Sequence, residues 1–214
     1  MPILGVLVLF IMPPAWAGDV LLIVGDSLSA GYGVARSEAW PSLLQQRLNE
    51  RALDVRVVNA SISGITSATG RAMLPGLLSK FQPRWVVIEL GANDGLRGLS
   101  LDALRTNIGF MSNAASEAGA VPILAGMRML ANYGAAYTDD FAHVYAAPPR
   151  GGLLIPFLLD GVAGRPEFNQ PDGIHPNASG HRRMMEHAWV IMAPLFLPIK
   201  QVEGENKTVI DSPR

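Results

Sequence analysis

At 214 residues and 49% hydrophobic composition, the chain is long enough to bury the core of one α/β domain and does not require a second. Its 17 Lys and Arg and 18 Asp and Glu give a net charge of -1 and are scattered along the chain. That excludes the electrostatic footprint of a nucleic-acid binder or of a protein held to an anionic membrane, and leaves a small molecule as the expected partner. With no Cys there is no disulfide framework, lipid-modified cysteine, thiol nucleophile or thiolate metal site.

Residues 3–12 (ILGVLVLFIM) are an apolar run of signal-peptide length, too short for the roughly 20 residues of a spanning helix, and the small-residue site Ala15-Trp16-Ala17 follows. Residues 1–17 are therefore read as a signal peptide with a mature start at Gly18, although no Lys or Arg precedes the apolar run. This predicts a periplasmic or secreted protein without stable membrane insertion. Val20 to Val24 is a short, β-branched apolar run closed by Gly25, the pattern of a buried parallel strand, and it delivers Asp26 and Ser27 into the turn GDSLSAGYG.

Trp40, Leu43, Leu44 and Leu48 then fall at helical spacing with Pro41 suited to a first turn. Val55 to Val58 is a second strand, running into NASISGITS. A helical segment follows to about Lys80, expected to be interrupted near Pro75. Trp85 to Leu90 is a third strand ending in GANDG. Ser100 is suited to cap a helix that carries Leu101, Leu104, Ile108 and Met111 on one face and stops at Gly119.

Val121 to Ala125 is a fourth strand. Tyr133, Tyr137, Phe141 and Tyr145 recur every four residues, as in a short helix. Leu153 to Phe157 is a poorer fifth strand, its Pro156 pointing to an edge or a strand end. After DGIHPN, a last helix carries Met184, Met185, Ala188, Trp189 and Met192 on one side. The tail from Gln201 is polar and expected to be disordered. Strands alternating with helices mean a parallel sheet covered on both faces.

Three strand ends carry candidate chemistry. A serine hydroxyl needs a base to take its proton and a third group to orient that base. Ser27 stands at the first strand end, and Asp172 lies three residues before His175, close enough in a turn to reach one ring nitrogen. Pro176 disfavours the α region for His175. An oxyanion needs donors, which the Asn93 amide after the third strand and the Gly64 backbone after the second can supply. Each stretch taken alone is equally a turn or a helix cap; their convergence on one edge of the sheet favours chemistry. The apolar Leu96, Leu99, Met127, Met129 and Leu130 are expected near the crevice. His143, His181 and His187 match no metal spacing and are read as surface or helix residues, and the GYG at 31–33 lacks a dinucleotide fingerprint.

Ser27 in GDSLS, Gly64 in NASISG, Asn93 in GAND and His175 in DGIHPN resemble, in order and spacing, the four blocks of the SGNH (GDSL) hydrolases. The resemblance runs from about residue 20 to 195. QPRWVVIELGANDGLRG and ANYG resemble the bacterial thioesterase and arylesterase subgroup in particular. It implies a three-layer α/β/α sandwich with a flavodoxin-like parallel sheet over residues 18–200. It further implies Ser27 as nucleophile, His175 as base, Asp172 as orienting acid, and an oxyanion hole from the Ser27 and Gly64 N–H groups and the Asn93 side chain. Asp26, Leu96, Met129 and Tyr133 are the implied substrate contacts. No metal or cofactor is expected, and the implied substrates are esters, thioesters or lysophospholipids acted on by a monomer. The sequence departs from the subgroup at Ala92, where a second Gly stands, and at Leu130, where Pro stands. The alternatives are a carbohydrate acetylesterase on the same scaffold and, from another class, a non-catalytic binding protein.

Overall fold

The computed structural model describes residues 18–197, so the expected signal peptide and the polar tail lie outside the described residues. Five strands, β1 (Asp19–Gly25), β2 (Val55–Asn59), β3 (Trp85–Glu89), β4 (Val121–Ala125) and β5 (Leu153–Ile155), form one parallel sheet in the order β2-β1-β3-β4-β5. This is the flavodoxin-like order, and the chain reverses its direction of winding between β1 and β3. Side chains alternate across a strand, so Leu21 and Ile23 of β1 enter one apolar cluster and Leu22 and Val24 the other. Both clusters are buried because helices cover both faces. The helices α2 (Trp40–Glu50) and α7 (Ala178–Phe196) lie on the first face, and α3 (Ser67–Phe81) and α5 (Leu101–Glu117) on the second.

The expected break at Pro75 does not occur. Helix α3 runs through it, with Pro75 exposed while Gly70, Leu74 and Leu78 are buried. The ring of Pro75 stands on the exposed side, and the buried apolar stripe keeps the helix seated. Ser100 caps α5 as expected, its Oγ accepting the Ala103 N–H at 3.3 Å. Pro156 follows directly on β5, the edge strand. The row of aromatics divides. Phe141 of α6 (Ala135–His143) and Tyr145 are core, their rings 5.6 Å apart, while Tyr133 and Tyr137 stack on each other at 6.1 Å outside it.

His181 belongs to a helix, as read, but is buried rather than superficial, and its Nδ1 accepts the Trp40 N–H at 3.3 Å. Burial pulls its ring down to about 4 from 6.5. The unfolded chain thus takes up this proton near 6.5 and the fold only near 4. His181 therefore contributes fully to stability above 6.5, and up to roughly 3 kcal/mol is lost as the pH falls toward 4. His181→Asn keeps an acceptor for Trp40 without titrating in this range. Denaturant unfolding at pH 7 and pH 4.5 should show the variant losing less stability than the wild type; equal losses would refute the assignment.

Candidate active site

The switch point between β1 and β3 brings the candidate residues together at the carboxyl ends of the strands. After β1, Asp26 caps the single turn α1 (Ser27–Ala30), its Oδ1 accepting the Leu28 N–H at 3.1 Å, which presents Ser27 at the first helical position. After β3, Gly91 takes φ +131 and starts the short helix α4 (Ala92–Leu96); a Cβ at this glycine would run into the Tyr145 hydroxyl. Asn93 lies in the first turn of α4.

The loop before α7 is tied down by its own side chains. Asn177 caps α7 by accepting the Ser179 and Gly180 N–H groups, and Gln170 Nε2 donates to the carbonyls of Tyr32 and Pro176 at 2.7 and 3.0 Å. Within it, Asp172 Oδ1 accepts the N–H groups of Ile174 and His175 at 2.9 and 3.0 Å. Its other oxygen, Oδ2, lies 2.7 Å from His175 Nδ1. A carboxylate only accepts, so Nδ1 carries the proton and Nε2 is the acceptor. The Ser27 hydroxyl, 2.9 Å from Nε2, donates to it. Partial burial works against the Asp172 charge, but the His175 N–H, the His175 ring and the Ile174 N–H outweigh it and hold the acid down at about 2. Tyr32 packs on the imidazole with ring centroids 4.6 Å apart.

Beside this line a cavity of about 210 Å³ opens, mostly apolar, with Leu28, Leu96, Met129, Leu130, Phe157 and Leu159 in its wall and Ser27, Asn93 and His175 at its polar end. Ala92 and Leu130, the two departures from the subgroup pattern, both line it. A hollow of about 530 Å³ behind α1, lined by Arg36, Gln45 and Asn59 among others, is larger but includes neither Ser27 nor His175, so volume alone does not mark the site.

Leu96, Met129 and Leu130 are where they were expected, whereas Leu99 and Met127 are not in the wall; Met127 is buried against the Tyr145 hydroxyl. Asp26, expected to touch substrate, is buried yet lines the cavity, and its second oxygen Oδ2 accepts the Asn93 amide at 3.0 Å. It thus holds both the Leu28 N–H and the Asn93 amide. Burial pushes it up to about 6, against the pull of those two donors. Tyr133, expected to touch substrate, is outside the cavity wall, and its hydroxyl donates to the Leu96 carbonyl at 3.4 Å. Gly64 occupies the turn after β2 at φ +80, with its carbonyl accepting from Arg97 at 2.7 Å, and is not part of the cavity wall.

Sequence reasoning missed Glu89, a fully buried carboxyl at the end of β3. The signal was one acidic residue closing an otherwise apolar strand. It also missed Tyr32 and Gln170, whose roles depend on a loop 138 residues away in the chain. Among the described residues, no group of three or more His, Asp or Glu could hold a metal ion. No helix among them is long and apolar enough to cross a membrane.

Esterase TesA of Pseudomonas aeruginosa is 45% identical over 194 residues, covering 90% of this chain and 96% of that protein. The Escherichia coli protein named thioesterase 1/protease 1/lysophospholipase L1 is 46% identical over 165 residues, 76% of this chain and 78% of that one. A solved crystal structure of TesA superposes with a TM-score of 0.81 at 46% identity, covering 83% of this chain and all of that chain. Residues 23–183 match the family described as GDSL-like Lipase/Acylhydrolase. With a family match over most of its length and relatives sharing nearly half their residues with it, the chain belongs to the GDSL-like lipase/acylhydrolases, the SGNH hydrolases.

Proposed function

We propose that the protein is a serine esterase that hydrolyses carboxylic esters and thioesters, lysophospholipids among them, through an acyl-enzyme. The observation that carries this reading is the continuous line Ser27 Oγ, His175 Nε2, His175 Nδ1, Asp172 Oδ2, with separations of 2.9 and 2.7 Å, at the end of an apolar cavity. The Ser27 hydroxyl attacks the acyl carbon while His175 Nε2 takes its proton, and Asp172 steadies the imidazolium so formed. The carbonyl oxygen becomes an oxyanion, stabilised by the N–H groups of Ser27 and Gly64 and by the Asn93 amide. Collapse of the intermediate expels the alcohol or thiol, which receives the proton from His175. Water then attacks the acyl-serine by the same route in reverse. One chain supplies nucleophile, base and acid, so the reaction needs no partner subunit.

A fluorophosphonate probe tests the class directly: it should label the protein at Ser27 and fail to label Ser27→Ala. Labelling that persists in Ser27→Ala would move the nucleophile elsewhere, and no labelling of the wild type would favour a binding protein on this fold.

The apolar cavity wall supports acyl selection by chain length. In a p-nitrophenyl ester series, kcat/KM should climb by up to about fourfold for each added methylene, equivalent to about 0.8 kcal/mol of burial, then level off when the cavity is full. Activity confined to acetylated sugars would favour the carbohydrate acetylesterase instead. The chain is further proposed to be exported to the periplasm or beyond. Protein recovered from a periplasmic extract should begin at Gly18 by intact mass, and cytoplasmic protein that keeps Met1 with none exported would refute this.

A further inference from the structure

Beneath the nucleophile turn lies a polar chain that the acyl-transfer steps leave unused. Glu89 Oε2 accepts the Ser29 hydroxyl at 2.6 Å and the Asp26 N–H at 3.3 Å. Ser29 Oγ accepts the Trp40 Nε1–H at 3.2 Å, and Asp26 Oδ2 accepts the Asn93 amide at 3.0 Å. One carboxyl oxygen thus grips the residue before Ser27 and the residue two after it, and reaches Asn93 through one further side chain. Gly25 is shaped to this contact: a Cβ there would lie 2.5 Å from Glu89 Oε2 and 2.9 Å from Ser29 Oγ. A packed core would fill this space with an apolar side chain, because a buried carboxyl is expensive unless its hydrogen bonds do something.

We propose that Glu89 is a positioning residue, which by holding the Asp26 N–H and the Ser29 hydroxyl on one oxygen fixes the Ser27 hydroxyl against His175 and Asn93. The inference rests on the reading of Ser27 as nucleophile. Glu89 acts as the neutral acid. The titratable groups around it are Asp26 at the β1 end and Tyr145 after α6, with Asp94 of α4 and His175 acting on the same cluster and His181 of α7 bound to Trp40. Burial and the neighbouring Asp26 carboxylate push Glu89 well above the ordinary range. Its Oε1 is buried without a hydrogen-bond partner, a position that suits a neutral acid and not a charged one. A misplacement of the nucleophile by about 1 Å is enough to slow acyl transfer about 100-fold.

The experiment compares Glu89→Leu, Glu89→Gln and Ser29→Ala by fluorophosphonate labelling rate per folded molecule, kcat, KM and Tm. Glu89→Leu fills the space without an acceptor and should lower kcat and the labelling rate by about 100-fold with little change in KM. Glu89→Gln offers a carbonyl oxygen to the same two donors and should recover most of that rate. Ser29→Ala removes one of the two grips, should show a smaller loss in the same direction, and decides the matter where Glu89→Leu does not fold. A wild-type labelling rate per folded molecule in either Glu89→Leu or Ser29→Ala, or a Gln variant no faster than Leu, would overturn the proposal. Wild-type protein that is itself unlabelled at Ser27 would overturn the nucleophile reading and this proposal with it, whereas a labelled wild type separates the two.

Discussion

Ser27→Ala and His175→Ala should each lower ester turnover by roughly 10⁴-fold to 10⁶-fold, and the double variant should be scarcely slower than either. The reason is the geometry: the Ser27 hydroxyl is 2.9 Å from His175 Nε2, so neither group has a productive role once its partner is gone. Asp172→Asn should cost less than either. An amide at Oδ2 meets the Nδ1–H as donor against donor, which turns the ring to the wrong tautomer while leaving nucleophile and imidazole in place. Steady-state rates on a p-nitrophenyl ester for the four proteins decide this, and losses that simply multiply would contradict a single catalytic unit.

For Asn93→Ala, the expected result is a chemical rate lower by about 100-fold to 1,000-fold, or roughly 3 to 4 kcal/mol, with substrate affinity changed far less. The charge that the amide is proposed to meet is absent from the bound ester and arises only as Ser27 attacks. The amide also has a second hydrogen, and the structure gives that one to Asp26 Oδ2 at 3.0 Å. Asn93→Ala therefore leaves a buried carboxyl short of a donor, and a lower Tm should accompany the slower rate. This bond also turns the amide so that its other hydrogen is free to face the cavity. Single-turnover kinetics normalised to folded protein separate the two effects. A destabilised variant that acylates at the normal rate would remove Asn93 from the oxyanion hole and leave it as a partner of Asp26.

Local pattern was sufficient for most of the architecture. The apolar runs at 20–24, 55–58, 85–90 and 121–125 all became parallel strands, and the periodicities after Trp40 and Ser100 and before Trp189 became helices, because each run could be buried in only one kind of element. Short-range chemistry was equally legible: Asp172 and His175 are three residues apart, and the turn that joins them is closed by Asp172 itself. The place of Ser27 was legible too, since the strand Val20 to Gly25 delivers it into the turn at the sheet edge.

Whatever depended on contacts between distant segments was decided only by the tertiary structure. Pro75 breaks a helix by local rule, yet α3 continues through it because its apolar face is held against the sheet. Asp26 lines the cavity beside Ser27, but that its second oxygen would be held by Asn93, 67 residues on, could not be read from the sequence. Tyr133 was an implied substrate contact, and packing put it outside the cavity wall, against the Leu96 carbonyl. Glu89 is the clearest case. Its hydrogen bonds come from Asp26 and Ser29, 63 and 60 residues earlier in the chain, and no periodicity in WVVIEL records that these donors will meet one carboxyl oxygen. Sequence reports what each segment prefers to bury; which polar group stands opposite another is a property of the packed chain.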